Sequence, residues 1–313
     1  MIKWGIIGAG NIANRFIVAL EQVENASIEA IACRSIEKAK AFALKYDVPH
    51  YYDQYQSIIE DSNIDAIYIA LPHGLHFEWA KKAIIAKKAV LVEKPAVMTS
   101  YEAKELSKLA NENQVFFMEA AKTLFVPAYR KLKEILDQEI GEIKQVDTIF
   151  CHVSPYQEGK YHYSKDQGGC MLDIGIYNLM YIADLIEGYP QITLIDSNIH
   201  KCGVEVYIHA KLQYPKCVAH VYSAFDRKKE DCAIITGNKG SIKVSPIHRP
   251  TKLEIIKNDQ STIIDVPYVF DDFYSQIQHA TDQILDHKIE SPIATHQKTI
   301  TMIQIINDIK AQL

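Results

Sequence analysis

The first third of the chain alternates short apolar runs with amphipathic segments. The apolar runs predict buried strands, and apolar residues at helical spacing between them predict helices. The predicted strands cover residues 4–7, 27–32, 65–71, 89–92 and 115–119, and the predicted helices cover residues 14–22, 36–45, 75–86 and 100–113. Strands that alternate with helices are typical of a doubly wound parallel sheet, the α/β Rossmann architecture.

The second half of the chain shows mainly strand patterns. Val204, Val206, Ile208, Ala210 and Leu212 alternate with other residues, which predicts a strand with one buried and one open face. The predicted strands cover residues 192–199, 204–214, 217–225, 232–236, 241–245, 252–256 and 262–266, and the predicted helices cover 127–136, 273–287 and 295–313. We expect an α+β domain with a large open, mainly antiparallel sheet.

These patterns divide the chain into a Rossmann domain at residues 1–121 and an α+β domain at residues 122–313. We expect the final helix, about 295–313, to pack against the first domain.

Composition excludes several classes of protein. The net charge of -5 and the lack of a basic block argue against a nucleic-acid or membrane-surface partner. The six cysteines form no CxxC pair, and the histidines share no ligand spacing, so we predict no metal site. The first strand starts almost at Met1, without a leader pattern, so we expect reduced thiols and a cytoplasmic protein.

A glycine-rich turn directly follows the first predicted strand. Gly8 permits the tight turn, Gly10 lets a phosphate approach the backbone, and Ala13 lets helix and strand pack closely. Asn11 and Ile12 open the helix, whose free N–H groups attract phosphates. The motif favours dinucleotide binding, although methyltransferases that bind S-adenosylmethionine also use a glycine turn here.

The end of the second strand bears on the choice of cofactor. NAD enzymes commonly place an acidic residue there, but this chain has Cys33, Arg34 and Ser35, with Lys38 one turn later. Arg34 can pair with a 2'-phosphate, so NADP(H) is favoured over NAD(H). Ser35 can also serve simply as the cap of the following helix.

Other candidate residues lie where later strands end, because ligands of open α/β sheets bind outside the carboxyl ends of the strands. Lys94 follows the strand 89–92, and an ordinary solvated lysine is the alternative interpretation. His76 is a candidate for cofactor contact, with surface or capping roles as the alternative. The predicted cofactor residues at these strand ends are Leu71, Pro72, His73, His76, Glu93 and Lys94.

Four motifs together resemble the glucose–fructose oxidoreductase / inositol dehydrogenase (Gfo/Idh/MocA) family. They are the glycine turn, Pro72-His73, Glu93-Lys94-Pro95 and Met118-Glu119-Ala120. The segment from Gly168 to Tyr177 is most similar to the branch that holds dimeric dihydrodiol dehydrogenase and NADP-dependent xylose dehydrogenase. Lys122 and Leu124 depart from the tryptophan and arginine common in the family, which leaves the substrate open.

The resemblance implies a hydride transfer between nicotinamide and a secondary alcohol or carbonyl of a sugar, polyol or cyclic diol. Lys94 would stabilise the alkoxide, Tyr177 would pass the proton, and Asp173 would orient the substrate hydroxyl or hold Lys94. Which of Lys94 and Tyr177 is the formal acid or base is left open. Asp173 and Tyr177 lie four residues apart in a predicted helix and so share one of its faces. The alternative is a structural role, in which Asp173 stabilises the helix dipole and Tyr177 is a half-buried tyrosine.

The resemblance also implies a cis Lys94–Pro95 bond and a homodimer, or a tetramer, formed through the second sheet. We expect Lys94, Asp173 and Tyr177 to converge over the nicotinamide. The remaining substrate candidates are Lys122 and, in the polar loop 154–169, Tyr156 and Tyr161. The alternative function is a dinucleotide-binding regulator without catalytic activity.

Overall fold

The computed structural model describes residues 1–313 and divides them into two compact units. The first unit comprises residues 1–121 and 270–300, and the second comprises residues 122–269 and 301–313. The sequence prediction placed 270–300 in the second domain. In the structure, Arg15 bonds to Asp272 and lies 4.5 Å over the Phe273 ring, which joins this late segment to the first unit. No local sequence pattern indicates that residues 270–300 fold back onto the first unit.

The first unit contains the predicted parallel sheet. Six strands pair in the order β3-β2-β1-β4-β5-β6, and every pairing is parallel. This is the strand order of a Rossmann fold, in which ligands bind where the strand order reverses, next to β1. The strands are β1 (Ile2–Ile7), β2 (Ala26–Ala32), β3 (His50–Tyr52), β4 (Ala66–Ile69), β5 (Ala89–Val92) and β6 (Phe117–Glu119).

Helices connect these strands and supply the apolar core of the first unit. The Phe16 ring stacks on the Tyr68 ring with centroids 3.7 Å apart, and Trp4 packs edge-on against Phe16. The helices are α1 (Asn11–Leu20), α2 (Ile36–Tyr46), α3 (Tyr55–Glu60), α4 (His76–Ile85), α5 (Ser100–Asn113) and, late in the chain, α8 (Tyr274–Leu285).

The second unit is built on a mixed, mainly antiparallel sheet of eight strands. Their order is β14-β13-β12-β11-β7-β10-β9-β8, and only the β7–β10 pair is parallel. The strands are β7 (Ile143–Cys151), β8 (Gln191–Ile199), β9 (Glu205–Gln213), β10 (Val218–Ala224), β11 (Cys232–Gly237), β12 (Ser241–Ser245), β13 (Lys252–Lys257) and β14 (Gln260–Asp265). The predicted alternation holds in the second half of β9, where Ala210 and Leu212 are buried and His209 and Lys211 are partly exposed. In the first half it fails, because Glu205 and Tyr207 are buried as well.

Three helices complete the second unit. They are α6 (Pro127–Ile140), α7 (Ile176–Leu185) and α9 (His296–Lys310), of which α9 begins in the first unit and ends in the second. One face of the sheet packs against α7, where the Asn178 amide donates to Ser223 Oγ at 3.1 Å. No helix in the chain combines the length and apolar character needed to cross a membrane.

The segment before α7 differs from the prediction. Met171–Gly175 forms a π-helical turn, so Asp173 does not lie in the α-helix that carries Tyr177. Short π-helical turns are rare and occur often at functional sites. Gly175 permits close packing of this segment, because a Cβ atom there would lie 2.8 Å from Met171 Sδ and 2.9 Å from Ser223 Oγ.

A buried carboxylate fixes the turn after β5. Glu119 is 2 % exposed and accepts hydrogen bonds from the Ala96 N–H at 2.9 Å and from Thr299 Oγ at 2.8 Å. Burial raises the pKa of Glu119, and the nearby Glu93 adds to that rise, while the two hydrogen bonds and Lys94 oppose it. The turn that carries Lys94 therefore depends on an ionisable group inside the core.

Glu119→Gln should change the pH dependence of stability. Because the pKa of Glu119 is raised on folding, its stabilisation is complete below the unfolded value and is lost as pH rises through the folded value. We expect wild type to lose stability relative to Glu119→Gln as pH rises, measured by urea unfolding from about pH 4 to about pH 8. Glu119→Ala should cost about 1–3 kcal/mol, because the Ala96 N–H and Thr299 lose their acceptor. A constant difference between wild type and Glu119→Gln at all pH values would contradict this.

Candidate active site

A cavity of about 500 Å³ lies in the first unit beside the turn from β1 to α1. Gly8 has a φ of +105°, and a Cβ atom there would lie 2.3 Å from the Ala70 carbonyl oxygen, so this position requires glycine. A Cβ atom at Gly10 would meet nothing within 4 Å, so the backbone there is open to a ligand. The lining residues are Gly8, Ala9, Gly10, Cys33, Arg34, Ser35, Lys38, Tyr55, Ala70, Leu71 and Pro72.

The N-terminus of α1 opens at this cavity. Gly10 occupies the N-cap position, and no side chain caps the helix there. The first N–H groups of a helix lack intrahelical partners, so those of Asn11 and Ile12 are available to a ligand. Together with the helix dipole they form a site for an anion such as a pyrophosphate. The residues present therefore fit a dinucleotide, as the glycine motif predicted.

The polar side chains of the cavity are basic or neutral. Arg34 and Lys38 are its two cationic residues, and no aspartate or glutamate lines it. Burial raises the pKa of Tyr55, and the Arg34 guanidinium, which hydrogen-bonds to it, opposes that shift. Ser35 Oγ accepts from the Lys38 N–H at 3.4 Å, so the predicted cap is confirmed. Glu29 lies within 3.6 Å of His50 and does not line the cavity.

Lys94 lies in the turn that follows β5, and its bond to Pro95 is cis, as the resemblance implied. The neighbouring carboxylate of Glu93 accepts a hydrogen bond from Tyr68 OH and another from the Lys94 N–H at 3.3 Å. The ammonium group acts on two buried groups, since it lowers the pKa of both His76 and Glu119. The half-buried Lys94 side chain is thus electrostatically coupled to a buried carboxyl group and a buried histidine.

His76, predicted as a cofactor contact, has backbone partners at both ring nitrogens. Its side chain is fully buried, and Nδ1 lies 2.8 Å from the Pro95 carbonyl oxygen while Nε2 lies 2.7 Å from that of Leu71. Burial lowers the pKa of His76 despite these two contacts. Both ring nitrogens are therefore occupied in connecting the end of β4 to the turn after β5. His73 is also buried, with its ring centroid 5.9 Å from that of His76.

In the second unit, aromatic rings and imidazoles surround Tyr177. We call the set Phe150, His152, Tyr177, Phe225 and His248 the Tyr177 cluster. Phe150 stacks on His248 at 4.7 Å and contacts Tyr177 at 5.8 Å, and Tyr177 lies 5.7 Å from His248. His152 joins Phe150 to Phe225, with centroid distances of 5.6 and 5.9 Å.

Asp173 acts electrostatically on this cluster. Burial lowers the pKa of His152, and the Asp173 carboxylate opposes that shift. The ring of His162 lies 5.8 Å from that of Phe225. Burial lowers the pKa of His162 too, and Asp173 opposes that shift. Burial thus disfavours the charged form of both imidazoles, and a neutral imidazole can donate one hydrogen bond and accept another. The arrangement suits hydroxyl groups rather than an anion.

The remaining substrate candidates occupy different surroundings. Lys122 is 6 % exposed and begins a short 3₁₀ turn, Lys122–Leu124. The Tyr156 ring is exposed and stacks on His200 at 4.7 Å, beside Tyr163. Tyr161 is exposed and packs edge-on against His162, so it lies closer to the Tyr177 cluster.

Sequence reasoning missed Tyr55, Phe150, His152 and His248 as site residues. Tyr55 begins a helix that follows β3, and the other three come from β7 and from the segment after β12. An apolar–histidine alternation at the end of β7 is the one local signal that could have been found, in Phe150 and His152. His248 becomes a site residue only through the pairing of distant strands.

Comparison with known proteins identifies related sequences. Residues 2–121 match the model of the GFO/IDH/MocA oxidoreductase family with an NAD-binding Rossmann fold, and residues 129–243 match the GFO/IDH/MocA C-terminal domain. The trans-1,2-dihydrobenzene-1,2-diol dehydrogenase of Xenopus tropicalis is 33% identical over 272 residues, which cover 85% of this chain and 82% of the relative. The NADP(+)-dependent scyllo-inositol 2-dehydrogenase of Bacillus subtilis is 28% identical over 321 residues, which cover 100% of this chain and 97% of the relative.

Solved structures with the same fold span the whole chain. A 3-ketoreductase from Actinomadura kijaniata, in complex with NADP and TDP-benzene, has a TM-score of 0.87 at 25% identity. That match covers 99% of this chain and 97% of the reductase. The aldose–aldose oxidoreductase of Caulobacter crescentus, complexed with glycerol, has a TM-score of 0.90 at 20% identity and covers 99% of this chain and 96% of its own. The second likeness concerns the fold alone.

Proposed function

Because the chain belongs to the GFO/IDH/MocA oxidoreductase family, we propose that it uses NADP(H) to oxidise or reduce a neutral sugar, polyol or cyclic diol. The family makes the chain an NAD(P)-dependent oxidoreductase that acts on an alcohol or carbonyl group. The preference for NADP(H), the residue roles and the neutral charge of the substrate are our proposal.

The preference for NADP(H) rests on the charge of the β1–α1 cavity. Arg34 and Lys38 supply two cations at the end of β2, and no acidic side chain of the lining would repel a 2'-phosphate. Arg34 is held by Tyr55, which favours a fixed orientation of its planar guanidinium. The relatives include an enzyme named for NADP(+) and a reductase solved with NADP, which agrees with this assignment.

The residues of the first unit would bind the cofactor and hold its reactive ring. The backbone at Gly8 and Gly10 and the open end of α1 would hold the pyrophosphate, while Leu71 and Pro72 line the same cavity. When it is bound, the nicotinamide supplies or accepts the hydride. His76 and Glu119 would fix the turn that presents Lys94, since both bond to its backbone.

We assign the proton chemistry to Lys94, Asp173 and Tyr177. The Lys94 ammonium would stabilise the alkoxide oxygen, because it is a fixed positive charge in a partly buried site. Tyr177 would pass the hydroxyl proton, and Asp173 would orient the reacting hydroxyl through its carboxylate. The formal acid or base is one of Lys94 and Tyr177.

The single observation that favours a neutral substrate is the set of imidazoles around Asp173. His152 and His162 have lowered pKa values because they are buried, which disfavours the charged form that would attract a carboxylate or a phosphate. Neutral imidazoles, a phenol and a carboxylate offer donors and acceptors to several hydroxyl groups at once. The rings of Phe150 and Phe225 add an apolar surface that suits a ring-shaped substrate.

Arg34→Asp should reverse the cofactor preference. The variant removes a charge-assisted bond to the 2'-phosphate and adds a repulsive charge, so we expect kcat/KM with NADPH to fall about 10- to 10²-fold relative to NADH. The measurement is steady-state kinetics with both cofactors. Lys40→Asp is the matched control, because Lys40 is exposed on α2, the helix that follows Arg34, and does not line the cavity. An unchanged NADPH/NADH ratio in Arg34→Asp would show that Arg34 does not bind the 2'-phosphate.

Lys94→Met should abolish most of the turnover. Loss of the ammonium removes the stabilisation of the alkoxide, so kcat should fall about 10²- to 10⁴-fold while NADPH affinity changes little. NADPH oxidation or NADP reduction is followed with a panel of neutral sugars, polyols and diols, and affinity is measured by NADPH fluorescence. Lys82→Met is the control, since the Lys82 side chain is 42 % exposed and paired with Glu78 on α4. Wild-type turnover in Lys94→Met would remove Lys94 from the mechanism.

We also propose a homodimer formed through the open face of the second sheet. Ser223 faces α7, so its neighbour Tyr222 points to the opposite face. There Tyr222 and Ile149 pack against buried Cys151, Tyr207 and Ala224 and form an apolar cluster on the open face. A second copy presenting the same patch would cover it symmetrically. The cytoplasmic location remains a prediction from the sequence.

Tyr222→Asp should dissociate the dimer. A carboxylate inside an apolar, symmetric contact would be desolvated and would face its own copy, so the sedimentation coefficient should fall to that of a monomer. Leu44→Asp is the control, because Leu44 is 76 % exposed on α2 of the first unit. A monomeric wild type, or a Tyr222→Asp variant that sediments as a dimer, would exclude this surface as the interface.

A further inference from the structure

A buried ion pair supports the π-helical turn that carries Asp173. Glu205, at the start of β9, is 2 % exposed, and its Oε2 lies 3.5 Å from Lys310 Nζ in the last turn of α9. Its other oxygen, Oε1, accepts from the Met171 N–H at 3.4 Å. Met171 is the first residue of the π-helical turn Met171–Gly175.

The backbone before the turn packs closely against the Glu205 carboxylate. Gly169 has a φ of +106°, and a Cβ atom there would lie 2.1 Å from Glu205 Oε1. The Gly169 carbonyl accepts from the Asp173 N–H at 3.2 Å, and Lys310 Nζ donates to the Gly168 carbonyl at 3.5 Å. Glu205 and Lys310 thus contact the backbone just before the turn and at its first residue.

Burial disfavours the charged form of a carboxylate unless nearby groups stabilise it. Burial raises the pKa of Glu205, and the Lys310 ammonium opposes that shift most strongly, followed by its backbone hydrogen bonds. Two titratable groups face Glu205: Lys310 from α9 and the thiol of Cys170, the residue before the turn. Burial raises the pKa of Cys170, and Glu205 adds to the rise, so this thiol stays neutral. Lys310 is therefore the group that most strongly favours the charged form of Glu205.

We propose that Glu205, held by Lys310, is a positioning residue that fixes the π-helical turn so that Asp173 orients the reacting hydroxyl. This proposal rests on the proposed function, because it acts through Asp173. A π-helical turn is less regular than an α-helix, so its geometry depends on outside contacts. Small displacements of an orienting group are costly to turnover, whereas cofactor binding by the first unit does not depend on this turn.

The test compares Lys310→Met, Lys310→Arg and Glu205→Gln. Lys310→Met should lower kcat about tenfold to about a hundredfold with KM for NADPH unchanged, and Lys310→Arg should restore most of the loss. The acid limb of the kcat–pH profile should move to higher pH in Lys310→Met, because the cation that opposes the raised pKa of Glu205 is gone. Glu205→Gln should have a lower kcat, and its kcat–pH profile should lack the part of the acid limb that the titration of Glu205 causes.

Asp308→Asn is the matched control on the same helix. Asp308 accepts from Tyr189 OH at 2.6 Å, so this variant loosens the end of α9 without touching Glu205. We expect it to keep wild-type kcat and pH profile, with unfolding checked by circular dichroism. Equal losses in Asp308→Asn and Lys310→Met, or wild-type kinetics in Lys310→Met, would overturn the proposal. Asp173→Asn separates the proposed role of Asp173 from the positioning role of Glu205. Full activity in Asp173→Asn would refute the role of Asp173 itself, whatever the Glu205 and Lys310 variants show.

Discussion

The carboxylate of Glu119 connects three parts of the first unit that the chain brings together from far apart. It lies at the end of β6, accepts from the turn after β5 and accepts from α9. Without it, the N–H of Ala96 would be buried without a partner, and the turn that carries Lys94 would lose its contact with the core. The geometry of the proposed active lysine therefore depends on a group that itself touches no substrate.

Local motifs account for the part of the site that could be predicted from the sequence. The glycine turn and the cations after β2 are properties of a few consecutive residues, and the structure places Gly8, Gly10, Arg34 and Lys38 around one cavity. The parallel sheet was also predictable, because strands and helices alternate in order. The turn after β5 was recognised from the triplet at residues 93–95 through its resemblance to a family.

Features that depend on distant contacts could not be predicted. Residues 270–300 return to the first unit through Arg15 and Asp272, a pairing that no local pattern indicates. His76 was interpreted as a cofactor contact because it starts a helix near the cavity, but two backbone carbonyls already occupy its ring. The π-helical turn has the sequence of an ordinary helix start, and its first N–H donates to Glu205 from β9, a contact that no local pattern indicates.

The close approach of Glu205 to Gly169 has an evolutionary consequence. Any side chain at position 169 would collide with a carboxylate oxygen, and the positive φ disfavours other residues as well. Substitution at 169 is therefore open only to lineages in which position 205 has first become smaller and the backbone has relaxed. Among related chains the two positions should co-vary, with glycine at one wherever the acid is retained at the other.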